Sequence, residues 1–215
     1  SAARWPSAAD EPPAAPRRPM SDRRALLLVY PGFAELQVAP ALDLLRGEVE
    51  VVVAAPARGA VRSEGGLAVL PEATWEELAG QPFAAVLVPG AIDLKAAYHH
   101  AALPALLAAA ASGAEVVGAI CGGPMLLHAA GLLDGRRYTT NFSAEQRALL
   151  GAPEGSYVDD ELVVDGRLIT ARGHAHGRFG LAVAEALGID VAPLRHYVLQ
   201  SRASCAPPAA PSAAC

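Results

Sequence analysis

Short, continuously apolar runs alternate along this chain with longer segments whose apolar positions follow a helical pattern. The runs at residues 25–30, 49–55, 84–88 and 115–120 are rich in Val and Leu, as parallel strands buried on both faces are. Between them the pattern predicts helices over residues 38–46, 103–112, 124–130 and 178–187. Two further helix starts are read at Thr74-Trp75-Glu76-Glu77 and Ser143-Ala144-Glu145-Gln146, where a hydroxyl and a later acid or amide satisfy unpaired helix amides reciprocally. Asp165-Gly166 joins strand-like residues 161–164 to residues 167–171, which is a hairpin signal. The βαβ alternation gives an α/β fold class, a three-layer α/β/α sandwich with a mostly parallel sheet and a β-hairpin excursion.

Composition narrows the picture. With 53% hydrophobic residues but only 5% aromatic ones in 215 residues, Ala, Leu and Val must supply the core of one large domain. Eight of the 18 prolines fall in residues 1–20 and 203–215, where periodicity is also lost, so both ends are expected to be disordered around a folded body at 21–202. Residues 1–20 lack the apolar segment of a secretory signal, and Met20 is a candidate start. The net charge of −5 comes without a Lys/Arg run in the body, which argues against nucleic acid and for a small-molecule or protein partner. No apolar run reaches the roughly 18 to 20 residues that span a bilayer, so a soluble protein without membrane contact is expected. Three cysteines, Cys121, Cys205 and Cys215, do not form a disulfide framework, and a reducing, cytoplasmic setting follows.

The chemistry-bearing stretch is a buried strand running through Ile120 into Cys121-Gly122-Gly123-Pro124 and then a helix. Such a strand–turn–helix elbow holds its nucleophile at the carboxyl end of a sheet, with small neighbours because bulk would collide with strand or helix. A thiol at a helix N-terminus is also expected to have a lowered pKa, which favours thiolate. The run Val86-Leu87-Val88-Pro89-Gly90-Ala91 is a second strand entering a Gly-containing loop. The amides of Gly122 and Ala91, with Gly90 between strand and loop, are the candidate oxyanion donors. Most free cysteines are merely small buried apolar residues, a role that does not call for a Gly-Gly-Pro turn.

The chain resembles the DJ-1/PfpI superfamily, also called ThiJ/PfpI, over residues 24–199. The resemblance rests on Leu28-Val29-Tyr30-Pro31-Gly32-Phe33-Ala34-Glu35-Leu36-Gln37, Val86 to Gly90, Ala119 to Pro124, and Asp165 to Gly173, in that order and spacing. It implies the flavodoxin-like, class I glutamine amidotransferase-like version of the sandwich, a homodimer and no cofactor. It also implies an acid beside the elbow cysteine, five residues after the position of Gly32; here that position is Gln37, with Glu35 two residues earlier as the other candidate. A glutamine amide can donate a hydrogen bond to a thiolate but cannot take a proton. Where many members carry a histidine, this chain has Gly122 and Asn141, which weakens a Cys-His hydrolase reading. His174 and His176, in the loop before the last predicted helix, are candidate proton carriers or solvated loop residues. Their spacing alone gives no metal site, and none is expected.

The resemblance implies a Cys121 thiolate acting on a small carbonyl, amide or related electrophile, with glyoxalase-like, deglycase-like, hydratase or amidase-like chemistry. The alternative is a redox-responsive, chaperone-like or ligand-binding protein without turnover, since accessible low-pKa thiols are the ones that oxidise.

Overall fold

The computed structural model describes residues 23–199. In chain order the elements are β1 (Arg24–Leu28), α1 (Glu35–Leu45), β2 (Glu50–Ala55), β3 (Val61–Arg62), β4 (Ala68–Val69), β5 (Ala73–Thr74), β6 (Ala85–Val88), α2 (Lys95–Tyr98), α3 (Leu103–Ser112), β7 (Val116–Ile120), α4 (Gly123–Ala129), α5 (Ala144–Leu149), β8 (Leu162–Asp165), β9 (Leu168–Ala171), α6 (His176–Ala186) and α7 (Ala192–Leu199). The expected disorder at 1–20 and 203–215, with Cys205 and Cys215, lies outside the described residues.

The main sheet runs β5-β2-β1-β6-β7-β9-β8. Every neighbouring pair is parallel except β8 with β9. Strands β6 and β7 are buried along their whole length, which is why they read as unbroken apolar runs rather than alternating ones. Helices α1 and α6 pack together, α1 against β2 and α6 against β7 and β9, while α2, α3 and α4 form a second group against β6 and β7. The flavodoxin-like three-layer sandwich is thereby present, and the loops after β1, β6, β7 and β9 meet at the carboxyl edge of the sheet.

Three local expectations need correction. The capping-box hydrogen bonds at Thr74 and Glu77 form at 3.3 Å and 2.7 Å, yet turns and no helix follow. Trp75 is committed elsewhere: its amide donates to the Ala55 carbonyl at 2.9 Å, and its fully buried ring donates to Ala54 at 3.1 Å. Gly80, at φ +80, and then Pro82 stop what remains. In the hairpin, Asp165 pairs with Leu168, so the two-residue loop is Gly166-Arg167, one position later than Asp165-Gly166. Only Gly166, at φ +60, is in the left-handed region, which suits a loop with glycine at its first central position. Helix α1 begins at Glu35 rather than 38, which puts Gln37 in its first turn.

Close approach of α1 to α6 seats that first turn. A Cβ on Gly180 would lie 2.8 Å from the Ala41 backbone nitrogen and 3.0 Å from the Pro40 carbonyl carbon. Gly180→Ala is expected to lower stability by about 1–3 kcal/mol by forcing the helices apart. Urea unfolding checks this, and an unchanged midpoint would show that the helices accommodate the methyl group.

Candidate active site

Strand β7 ends at Ile120, and Cys121 follows at φ +63, the one non-glycine residue with positive φ among the described residues. A side-chain-bearing residue in that region is strained, and it persists only where its surroundings fix it. The Cys121 amide donates to the Ala171 carbonyl at 2.8 Å. Its carbonyl accepts from the Asn141 amide at 3.0 Å and from the Thr140 hydroxyl at 2.6 Å. Space is cleared by glycines. A Cβ on Gly90 would lie 2.7 Å from the Cys121 Cβ, one on Gly123 would lie 2.4 Å from the Val88 carbonyl oxygen, and one on Gly173 would lie 3.3 Å from the Cys121 Sγ.

Of the two α1 candidates, Gln37 is the one at the thiol. Its Oε1 accepts from the Gly90 amide at 2.8 Å, and its side chain hydrogen-bonds the Cys121 sulfur. With the carbonyl end pinned to Gly90, the amide nitrogen is the end that donates. This contact occupies the Gly90 N–H, which is therefore unavailable as an oxyanion donor. Glu35 turns instead toward the β3–β4 hairpin, where its own amide, the Ser63 hydroxyl and the Gly65 amide hold its carboxyl below the usual range. Tyr30, fully buried, donates its hydroxyl to the Pro89 carbonyl and stays protonated, chiefly through burial and secondarily through the nearby Cys121.

The expected lowering of the thiol pKa is not what the surroundings produce. Burial pushes the Cys121 thiol up, and hydrogen bonds from Gln37 and the Gly122 amide offset this only in part, while the negative charge of Glu64 adds to the rise. Helix α4 has only seven residues, so its positive end is a weak opponent of desolvation.

A cavity of about 510 Å³ opens over this centre, lined among others by Glu35, Gln37, Glu64, Gly173, His174 and His176. Both histidines therefore reach the site, but in different states of engagement. His174 places Nε2 3.1 Å from Glu161 Oε1, and Glu161 also holds Arg178 at 2.9 Å. Glu161 is thereby the anchor of that histidine. His176 has Nδ1 3.2 Å from the Gly173 carbonyl, so Nδ1 carries the hydrogen and Nε2 is left as the proton acceptor. Asn141 holds the frame from the other side, its Oδ1 accepting from the Gly173 amide at 2.8 Å. Among the described residues no cluster of three or more His, Cys, Asp or Glu is placed to hold a metal ion. Sequence reasoning passed over Tyr30, Thr140 and Glu64. The first two lay inside or beside recognised segments, whereas Glu64 sits on a hairpin of two-residue strands that leaves no periodic trace.

Comparison with known proteins gives the family and the fold. The DJ-1/PfpI family model matches residues 23–186. Protein dj-1beta of Drosophila melanogaster is 33% identical over 170 residues, covering 77% of this chain and 89% of the relative. The crystal structure of Drosophila melanogaster DJ-1beta superposes with a TM-score of 0.68 at 29% identity, covering 82% of this chain and 95% of that one. Glutathione-independent glyoxalase DJR-1.2 of Caenorhabditis elegans is 26% identical over 170 residues, covering 78% and 90%. Isonitrile hydratase of Pseudomonas putida is 30% identical over 185 residues, covering 84% and 78%.

The Gln37 hydrogen bond favours the charged form of the sulfur, so its loss must raise the thiol pKa further. Gln37→Leu is expected to move the pH midpoint of Cys121 alkylation upward, read from iodoacetamide rates. An unmoved or lowered midpoint would show that Gln37 does not bond the sulfur.

Proposed function

The chain belongs to the DJ-1/PfpI family, and from that premise we propose that it is an enzyme whose Cys121 thiol adds to a small carbonyl compound, a 2-oxoaldehyde being the first candidate. The observation that carries this reading is the Cys121 backbone at φ +63, a strained elbow kept there by three hydrogen bonds, beside a cavity lined by its neighbours Gln37 and Gly173. Packing alone gives no reason to keep such strain.

The reaction balances without a cofactor. Sulfur forms a bond to the aldehyde carbon, the carbonyl electrons move to oxygen, and the thiol proton ends on that oxygen as a hemithioacetal. Transfer of the C1 proton to C2 oxidises C1 and reduces C2, giving a thioester of a 2-hydroxy acid, which water cleaves to regenerate the thiol. The amides of Gly122 and Ala91 are the donors to the developing oxyanion. His176 Nε2 carries the substrate proton between the two carbons, with His174 as a positioning neighbour. Gln37 holds the sulfur through the amide pinned to Gly90. The name of the worm relative, a glyoxalase, supports this class, and that of the bacterial one, a hydratase, keeps isonitriles as the second substrate to try. A homodimer in the cytoplasm is part of the same proposal.

A thiol raised by burial weighs against the peroxide-sensing alternative, which needs a depressed pKa. The expected outcome is conversion of a 2-oxoaldehyde to its 2-hydroxy acid by the wild-type chain and loss of at least about 1,000-fold in kcat/KM for Cys121→Ala, as removal of a nucleophile demands. Turnover that survives this substitution, or a wild-type chain that binds 2-oxoaldehydes without converting them, would contradict the reading.

A further inference from the structure

Beside the thiol cavity lies a second one of about 380 Å³, lined among others by Thr140, Asn141, Arg147, Tyr157, Arg172 and His174. Its walls are the frame of the elbow. Thr140 and Asn141 hold the Cys121 carbonyl at 2.6 Å and 3.0 Å. Asn141 also accepts from the amide of Gly173 at 2.8 Å, and a Cβ on Gly173 would lie 3.3 Å from the Cys121 Sγ. His174 lines both cavities. The two arginines differ in how they are occupied. Arg147 is buried and complete: Nε and Nη2 grip the two Glu154 oxygens side-on at 2.9 Å and 2.6 Å, and Nη1 donates to the Phe142 carbonyl at 2.7 Å. Arg172 has the same fork half filled. Its Nη2 donates to the Tyr157 hydroxyl at 2.8 Å and to Asp159, while its Nε is enclosed without a partner among the described residues. An enclosed donor left unpaired destabilises the resting arrangement. The side chain of Asp159 is 79% exposed, so this carboxylate loses little by turning to solvent.

We propose that this second cavity binds the carboxylate of a small substrate, which takes the Nε/Nη2 fork of Arg172 as Glu154 takes that of Arg147, with Asp159 displaced to solvent. Side-on pairing of a planar guanidinium with a carboxylate is the strong form of this contact, and it fixes orientation as well as affinity. The charges around the cavity favour an anion once Asp159 has turned away. Glu154 neutralises Arg147, Glu161 holds His174 at 3.1 Å, and the guanidinium of Arg172 is then left with its positive charge uncompensated. A ligand that spans both cavities passes over His174, with its carboxylate on Arg172 and a carbon several bonds away toward Cys121. Resting on the thiol-addition reading, this narrows the substrate to a 2-oxoaldehyde with a carboxylate on a short side chain, its product being a 2-hydroxy dicarboxylate.

The test separates the site from that reading. Glutarate, an unreactive dicarboxylate, is titrated calorimetrically into the full chain carrying Cys121→Ala, where no chemistry follows. Millimolar binding is expected, weakened about 10- to 100-fold by Arg172→Gln, the scale of a lost charged hydrogen bond. Asp159→Asn is expected to strengthen it about two- to fivefold, the scale of an exposed ion pair that no longer competes. A damaged fold weakens binding but does not tighten it, and unchanged melting curves verify both variants. For turnover, a 2-oxoaldehyde with a propionate side chain is compared with the uncharged one bearing a butyl side chain. The wild-type chain is expected to favour the first in kcat/KM by about tenfold or more, and Arg172→Gln to abolish that preference. Glutarate that does not bind at millimolar concentration, that binds the Arg172→Gln chain as well, or that Asp159→Asn does not tighten overturns the proposal, as does a wild-type chain that converts the two aldehydes equally. If the wild-type chain converts neither aldehyde, the thiol-addition reading fails, and the glutarate titrations alone decide for or against the carboxylate site.

Discussion

The left-handed backbone at Cys121 is the constraint around which the rest is arranged. Holding a non-glycine residue there costs on the order of 1–3 kcal/mol. What offsets it is a set of contacts drawn from distant parts of the chain: the Ala171 carbonyl at the end of β9, and Asn141 and Thr140 in the segment before α5. Parallel pairing of β7 with both β6 and β9 fixes the level at which the strand ends. Gly90 and Gly173 then allow the neighbouring loops to approach a sulfur that any side chain would displace. The fold is thus a device for presenting one atom at the carboxyl edge of the sheet.

Two opposing effects set the state of that atom. Hydrogen bonds from Gln37 and the Gly122 amide favour thiolate, while burial and the Glu64 carboxylate favour thiol, and burial dominates. In the proposed addition, a thiol that is not pre-ionised must shed its proton during attack, so the reaction depends on which nearby group can receive it. In the proposed chemistry Cys121 is the nucleophile, and Gln37 positions its sulfur because an amide cannot take a proton. A higher-pKa sulfur is also intrinsically the stronger nucleophile once deprotonated, which partly compensates for the smaller thiolate fraction.

Much of the architecture was legible because buried parallel strands leave unbroken apolar runs, and the elbow because Cys121-Gly122-Gly123-Pro124 after such a run has few other uses. Spacing from Gly32 favoured Gln37 over Glu35, and Glu35 stayed a candidate only because the choice depends on where α1 starts. Trp75 misled for an instructive reason: a capping box satisfies local amides, but the buried indole and its bond to Ala54 outweigh local helix preference. Glu64 was invisible because the strands that carry it are two residues long, too short for any periodicity. The thiol pKa was misjudged because the helix terminus is written in the sequence and the depth of burial is not.

The most direct measurement is the alkylation rate of Cys121 across pH in the chain with both tail cysteines replaced. If burial governs the site, the midpoint lies above the ordinary cysteine value of 9.0, and reactivity at neutral pH is low until a carbonyl substrate binds. A midpoint well below that value would mean that the thiolate is preformed by the elbow itself, and would contradict the account in which burial keeps the sulfur protonated.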